Sequence, residues 1–213
     1  MSFAVSLAGA PVIATYSDLV ASVQAELDRD DVDDVRVVEF IQRFEARMNR
    51  LLRVPEMEAV AQVTMADGSG YLPTDFLELR RVYDADNCPV PAVEPSAWLE
   101  RRTSGGKVHC IVAGALRVAP DSDDAVSILY YAKIPALNDD RQSNWLLEAH
   151  PDLYLYGVCY LFCSHVDDDD GVLKYKAAAD EVFGELIASG ERRRFGGPLR
   201  HRPVVMQTRG AYA

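Results

Sequence analysis

Residues 144–157 read NWLLEAHPDLYLYG, and the fold turns on how this stretch divides. Pro151 suits the first turn of a helix, where its missing N–H leaves no bond unmade. Asp152 then falls in that first turn, where the helix dipole favours an anion. Upstream, Asn144 to Ala149 predicts a single helical turn that lays Trp145 and Leu146 onto the core. Downstream, a helix is expected over about 151–166, with Leu153, Tyr154, Val158, Leu161 and Phe162 as its apolar positions and Gly157 allowing another helix close. An acidic turn, Asp167 to Asp170, separates it from a helix over about 170–189. There Val172, Tyr175, Ala179, Val182 and Leu186 recur at helical spacing, the cleanest stripe in the chain.

Working back to the start, Thr15 and Asp18 form a capping-box pair before Leu19, Val23 and Leu27, so a first helix is expected over 15–29. A second, over about 33–53, buries Val37, Ile41, Phe44, Met48 and Leu51, and Pro55 follows it. Between them, Asp30, Asp31, Asp33 and Asp34 lack the Gly and closing Glu of a calcium loop and read as an acidic helix entry. Residues 1–14 are small and apolar and are expected to be an N-terminal arm. It carries no positive charge ahead of its apolar part, which a secretion signal needs.

Between the helical ends the period changes to two. Ala61, Val63 and Met65 alternate, and Leu77, Leu79 and Tyr83 are expected on one side of the strand over 76–83. Pieces at 108–112, 116–118 and 126–131 follow, with Pro95 to Arg102 as a short helix carrying Trp98 and Leu99. Four or five short strands in a row argue an antiparallel meander or small sandwich. The fold class is therefore α+β: an antiparallel four-helix bundle built from both chain ends (15–56 and 136–190), an inserted small antiparallel β lobe (57–135) and an extended C-terminal tail (191–213). The tail holds Arg192, Arg193, Arg194, Arg200, Arg202 and Arg209 against one acid, Glu191. Its Gly and Pro residues argue against a regular helix.

The chain has 213 residues, 22 Lys+Arg against 33 Asp+Glu, and a formal net charge of −11. That balance is wrong for gripping nucleic acid by counterion release, although like charge would let such a chain surround DNA without sticking to it. Four Cys form no spaced framework, which fits a reducing cytoplasm, and no apolar run is long enough to span a membrane.

Chemistry is hard to find. Cys159 and Cys163 lie one helical turn apart, but structural zinc needs four ligands and His165 falls on another face. His109 and Cys110 are adjacent on a strand and point to opposite sides. No nucleophile elbow, zinc-helix, P-loop or dinucleotide motif occurs. The expectation is no enzyme, no catalytic residue, no metal and no cofactor. The alternative from another class is a soluble thiol-dependent α+β enzyme using Cys110 or Cys163.

Lys133 to Asp139 (KIPALND) and the NWLLEAHPDLYLYG block, with YSDLVASVQAELDR (Tyr16 to Arg29), FIQRFEARMNRLLR (Phe40 to Arg53) and GYLPTDFLELR (Gly70 to Arg80), resemble the head-to-tail adaptor (connector) proteins of tailed bacteriophages. The resemblance covers roughly Tyr16 to Leu186. It implies a structural virion protein, made in the host cytoplasm and located in the neck. Such proteins form a ring of about twelve copies beneath the portal that extends the DNA channel. The expected partners are further copies of the chain, the portal protein, a stopper or tail protein, and double-stranded DNA passing without sequence-specific binding. Membranes are not among them. On this reading the Arg-rich tail, Arg192 to Arg209, meets the portal, while Arg43, Arg47, Arg50 and Trp145 serve the subunit interface. Another neck component, such as a stopper or head-completion protein, is the nearest alternative.

Overall fold

In a computed structural model, the residues described are 13–28, 33–103 and 105–194. Among them the chain forms six α-helices and two antiparallel sheets, a mixed α+β structure. Helices α1 (Tyr16–Leu27) and α2 (Asp34–Leu51) come first. Strands β1 (Glu58–Val63), β2 (Ser69–Tyr71), β3 (Phe76–Tyr83) and β4 (Pro89–Val90) follow, then α3 (Pro95–Glu100), β5 (Val108–Val112), β6 (Ala115–Ala119) and β7 (Val126–Ala132). The chain returns to helices with α4 (Trp145–Ala149), α5 (Pro151–His165) and α6 (Asp169–Arg194).

Local chemistry sets the helix starts. Thr15 Oγ1 accepts from the Asp18 amide, and the Asp18 carboxylate accepts from the Thr15 amide, closing the expected capping box. Asp33 caps α2 through the Arg36 amide at 2.8 Å, and Asn144 caps α4 through the Leu147 amide at 2.9 Å. Pro151 opens α5 as anticipated.

Helix α5 is the hub of the helical part, packing against α1, α2, α4 and α6. Gly157 makes the α2 approach possible: a Cβ there would fall 2.2 Å from the Phe44 ring. Helices α2 and α6 both lie against α5, and an open cleft remains between them. The shared core gathers Leu19, Val23, Val37, Ile41, Phe44, Leu146, Tyr154, Phe162 and Leu186, and also takes in Met57, Tyr131, Ile134 and Leu137 from the chain's passage into and out of the strands.

The expected buried positions of the helices are largely present, with two exceptions. Leu51 is 52% exposed while Leu52 is fully buried. The helix ends at Leu51, and Leu52 turns to extended backbone (φ −84°, ψ 138°), so the helical period no longer applies there. Leu99 is exposed while Trp98 is buried, because α3 has only six residues and offers one residue to the sheet. Helix α6 also runs past Ser189 to Arg194. Gly190 is buried against Val54 and Pro55, and Glu191 to Arg194 precede the first helix-breaking pair, Gly196-Gly197.

The strands do not form a meander. One sheet has the order β1-β7-β3-β4, and the other β2-β6-β5. Strand β7, late in sequence, inserts between β1 and β3 because it is the most apolar and buries Val126, Ile128, Tyr130 and Tyr131. A core of Val63, Met65, Val82, Val90, Leu116, Val118 and Ile128 draws on both sheets, as in a small sandwich. The second sheet has a further cluster in which Trp98 of α3 covers Val108, Cys110 and Ala119. Strand β3 carries register shifts between Phe76 and Glu78 and between Leu79 and Arg81. Those bulges break the expected alternation: Leu77 packs on the helical core, Leu79 on the sandwich core, and Val82 is the residue fully buried.

Candidate functional site: an arginine-faced helical cleft and its supports

The predicted interface residues start from α2. A helix repeating near every fourth residue puts Arg43, Arg47 and Arg50 away from the buried Ile41, Phe44 and Met48. Arg43 bonds Glu39 one turn back at 2.5 Å and lies over the Phe40 ring at 5.1 Å. Arg47 is half-buried and lies over the Tyr160 ring of α5 at 5.4 Å. Arg50 is exposed. Arg47 also lines the cleft between α2, α5 and α6, a cavity of about 80 Å³ walled by Phe44, Met48, Leu161 and Phe183. Lys176 and Asp180 supply further charge, and the exposed Leu51 lies at the same cleft. The result is an apolar notch framed by charges of both signs. Trp145 is elsewhere, half-buried against the helical core at the start of α4. The structure therefore brings Arg43, Arg47 and Arg50 onto one helix but does not join Trp145 to them.

A second feature lies beneath this face. Glu45, also on α2, is a buried carboxylate at 4% exposure. It accepts from the Leu137 amide at 3.0 Å and from the Tyr154 hydroxyl at 3.0 Å. The Tyr154 oxygen accepts from Asn144 Nδ2 at 2.8 Å, and Asn144 Nδ2 also donates to the Pro135 carbonyl at 2.8 Å. One turn on, Asn49 Oδ1 accepts from the Ile134 amide at 2.8 Å. These bonds pin the KIPALND segment, which has no regular structure of its own, between α2 and α5. Burial raises the Glu45 carboxyl above its usual range, partly opposed by its two donors. Burial and the Glu45 charge likewise push the Tyr154 phenol upward, so it stays a donor. Sequence reasoning missed Glu45. Its only signal was position: four residues after Ile41, it falls within the apolar stripe.

The third feature joins helices to strands. Tyr131 of β7 is surrounded by the guanidinium groups of Arg53, Arg80 and Arg194, at 5.9, 5.3 and 5.7 Å from its ring. Arg53 bonds Glu78 at 2.7 Å, and Arg80 bonds Glu58. Arg194 donates to the Tyr131 hydroxyl and the Arg53 carbonyl, while Arg193 bonds Glu56. Of the six tail arginines, two are thus held within the chain, Arg192 is exposed, and Arg200, Arg202 and Arg209 lie outside the described residues.

Three of the four thiols are poorly placed for nucleophilic chemistry, and Cys88 is exposed. Cys110, Cys159 and Cys163 are buried. Burial raises the Cys110 thiol and pushes Cys159 up to about 12. His109 is also buried, its Nδ1 2.9 Å from the Val90 carbonyl oxygen, and burial lowers its pKa. Among the described residues no three His, Cys, Asp or Glu side chains gather as a metal site.

An α+β chain with charged helical faces, its strands tied to the helices through the Tyr131 junction, is a framework for contacts. The model of the family described as SU10 adaptor protein matches residues 14–202. The chain belongs to that family of phage head-to-tail adaptors. No curated protein matches it. The matched span begins at the α1 cap and ends beyond α6, so it includes all six helices and both sheets of the adaptor. Membership makes this a component of the virion, in a structural family. Among the described residues, no helix is long and apolar enough to cross a membrane.

Proposed function

We propose that the adaptor assembles head-to-tail into a closed ring of about twelve copies between the portal and the next neck or tail component. The family match over residues 14–202 carries this reading. In the ring, the helical parts of neighbouring copies lie side by side. Arg43, Arg47 and Arg50 on α2 meet acidic groups of the next copy, such as the acidic turn Asp167 to Asp170. Arginine suits this role because its planar fork holds carboxylates in fixed geometry. The cleft between α2, α5 and α6 gives the contact an apolar centre. Trp145, half-buried at the entrance to α4, serves the same assembly from a separate point.

The portal contact belongs to the tail. Arg193 and Arg194 fix its root on the Tyr131 junction, which leaves Arg192, Arg200, Arg202 and Arg209 to reach portal carboxylates. A net charge of −11 lets double-stranded DNA pass the ring without being trapped. The strand block faces the following neck or tail protein. A chain ending at Arg194 tests the tail assignment. It is expected to fold and to form rings that fail to join portals. Normal portal joining by that chain refutes the tail's role.

A further inference from the structure

Strand β5 is the edge of its sheet, paired with β6 on one side only. On its other side, the His109 amide donates to the Pro91 carbonyl at 2.9 Å, and the His109 carbonyl accepts from the Val93 amide at 2.9 Å. Strand geometry alternates, so the Ile111 amide and carbonyl point the same way as those of His109. The chain at 91–93 stops short of them and leaves for α3. Across from this edge, the β3–β4 ladder stops at Val82, so Leu79 to Arg81 of β3, paired with β7 on one side, have no strand on the β4 side. A groove of about 420 Å³ separates these two walls, with Ile111, Leu79, Val93 and Arg81 in its lining. Ile111 is 38% exposed. The groove is thus a slot whose β5 wall ends in an open donor–acceptor pair, and open strand edges recruit strands.

One segment of this chain suits such a slot. Residues 2–8 read SFAVSLA, with Phe3, Val5 and Leu7 alternating with Ser and Ala, and carry no charged side chain. That is the period of a strand with one bulky and one small face. The arm begins from Ile13, which packs on the helical core, and the Ala14 and Thr15 amides are tied to Asp18. No residue of β2, β5 or β6 belongs to that core, so the arm's root and the slot lie on different parts of the subunit. Twelve residues precede Ile13, and an extended stretch of that length spans up to about 40 Å.

We propose that residues 3–7 of one copy add as a strand to the open edge of β5 in a neighbouring copy, pairing with Ile111 and laying Phe3, Val5 and Leu7 against Leu79, Val93 and Ile111. This rests on the reading that copies assemble, and its test separates the two. With exposed Cys88 replaced (C88S), the double variant V5C/I111C is oxidised in the assembled state. A ladder of crosslinked chains on a non-reducing gel is expected; a crosslink within one chain, or none in an assembly verified by mass, overturns the proposal. Independently, a peptide of residues 2–14 is added to the chain lacking residues 2–12, and amide exchange is read at residues 109–112. The peptide is expected to slow exchange at Ile111 by about tenfold or more, even if that variant stays monomeric. Unchanged exchange at saturating peptide overturns strand addition whatever the assembly state.

Discussion

Replacing Glu45 by alanine removes the acceptor at the centre of the bonds that hold the KIPALND segment. The Leu137 amide and the Tyr154 hydroxyl, each 3.0 Å from Glu45 Oε1, then lose their acceptor in a buried site. Each orphaned donor costs about 1–3 kcal/mol, and relief from burying a carboxylate offsets part of the sum. The expected loss is about 2–5 kcal/mol. For a chain of this size that lowers Tm by about 5–15 °C. Glu45→Gln keeps an acceptor oxygen without the charge and is expected within about 1 kcal/mol of the parent. The two variants also differ in pH response. Burial raises the folded-state pKa of Glu45 above the ordinary value of 4.5, so ionisation opposes folding. Its contribution is complete below 4.5 and is lost as pH rises through the folded-state pKa. The stability of E45Q relative to the parent is therefore expected to improve from about pH 4 to pH 8. Urea unfolding at several pH values, followed by circular dichroism, reads both effects. An E45A variant within about 1 kcal/mol of the parent, or a pH trend of the opposite sign, refutes the reasoning.

Other perturbations probe the remaining features. Gly157→Ala places a Cβ 2.2 Å from the Phe44 ring, so about 1–3 kcal/mol of stability is lost, and G157A/F44L recovers part of it on thermal melts. Arg47→Ala removes a half-buried cation from the Tyr160 ring; stability falls by about 1 kcal/mol or less, while sedimentation shows weaker assembly. Arg194→Ala releases the end of α6 from Tyr131 and Arg53, and amide exchange is expected to quicken from Gly190 onward. Iodoacetamide at neutral pH is expected to label Cys88 in the native chain within minutes while sparing Cys110, Cys159 and Cys163, as mass spectrometry of digests reads out.

The helical part was legible because its signals are local. The Thr15–Asp18 box, Pro151, Gly157 and the stripes of α1, α5 and α6 each act within a turn or two of chain. Boundaries failed at helix ends: the chain turns extended at Leu52, which is buried in place of Leu51, and the packing of Gly190 on Val54 and Pro55 accompanies α6 to Arg194. Strand order was not legible, because pairing β1 with β7 joins residues some seventy positions apart and depends on which strand can be buried on both sides. Glu45 escaped notice for the same reason. A carboxylate in an apolar stripe has meaning only once Tyr154 and Leu137, about a hundred residues away, are known to face it. The arginines of the tail looked alike in sequence, yet the fold separates Arg193 and Arg194, held by Glu56 and Tyr131, from the exposed Arg192.

Cryo-electron microscopy of the virion neck addresses subunit assembly most directly. A closed ring of about twelve copies of this 23.6 kDa chain, in contact with the portal on one side and a neck or tail protein on the other, is the predicted result. A neck whose density is fully explained by other proteins, or this chain bound there as isolated single copies, contradicts it.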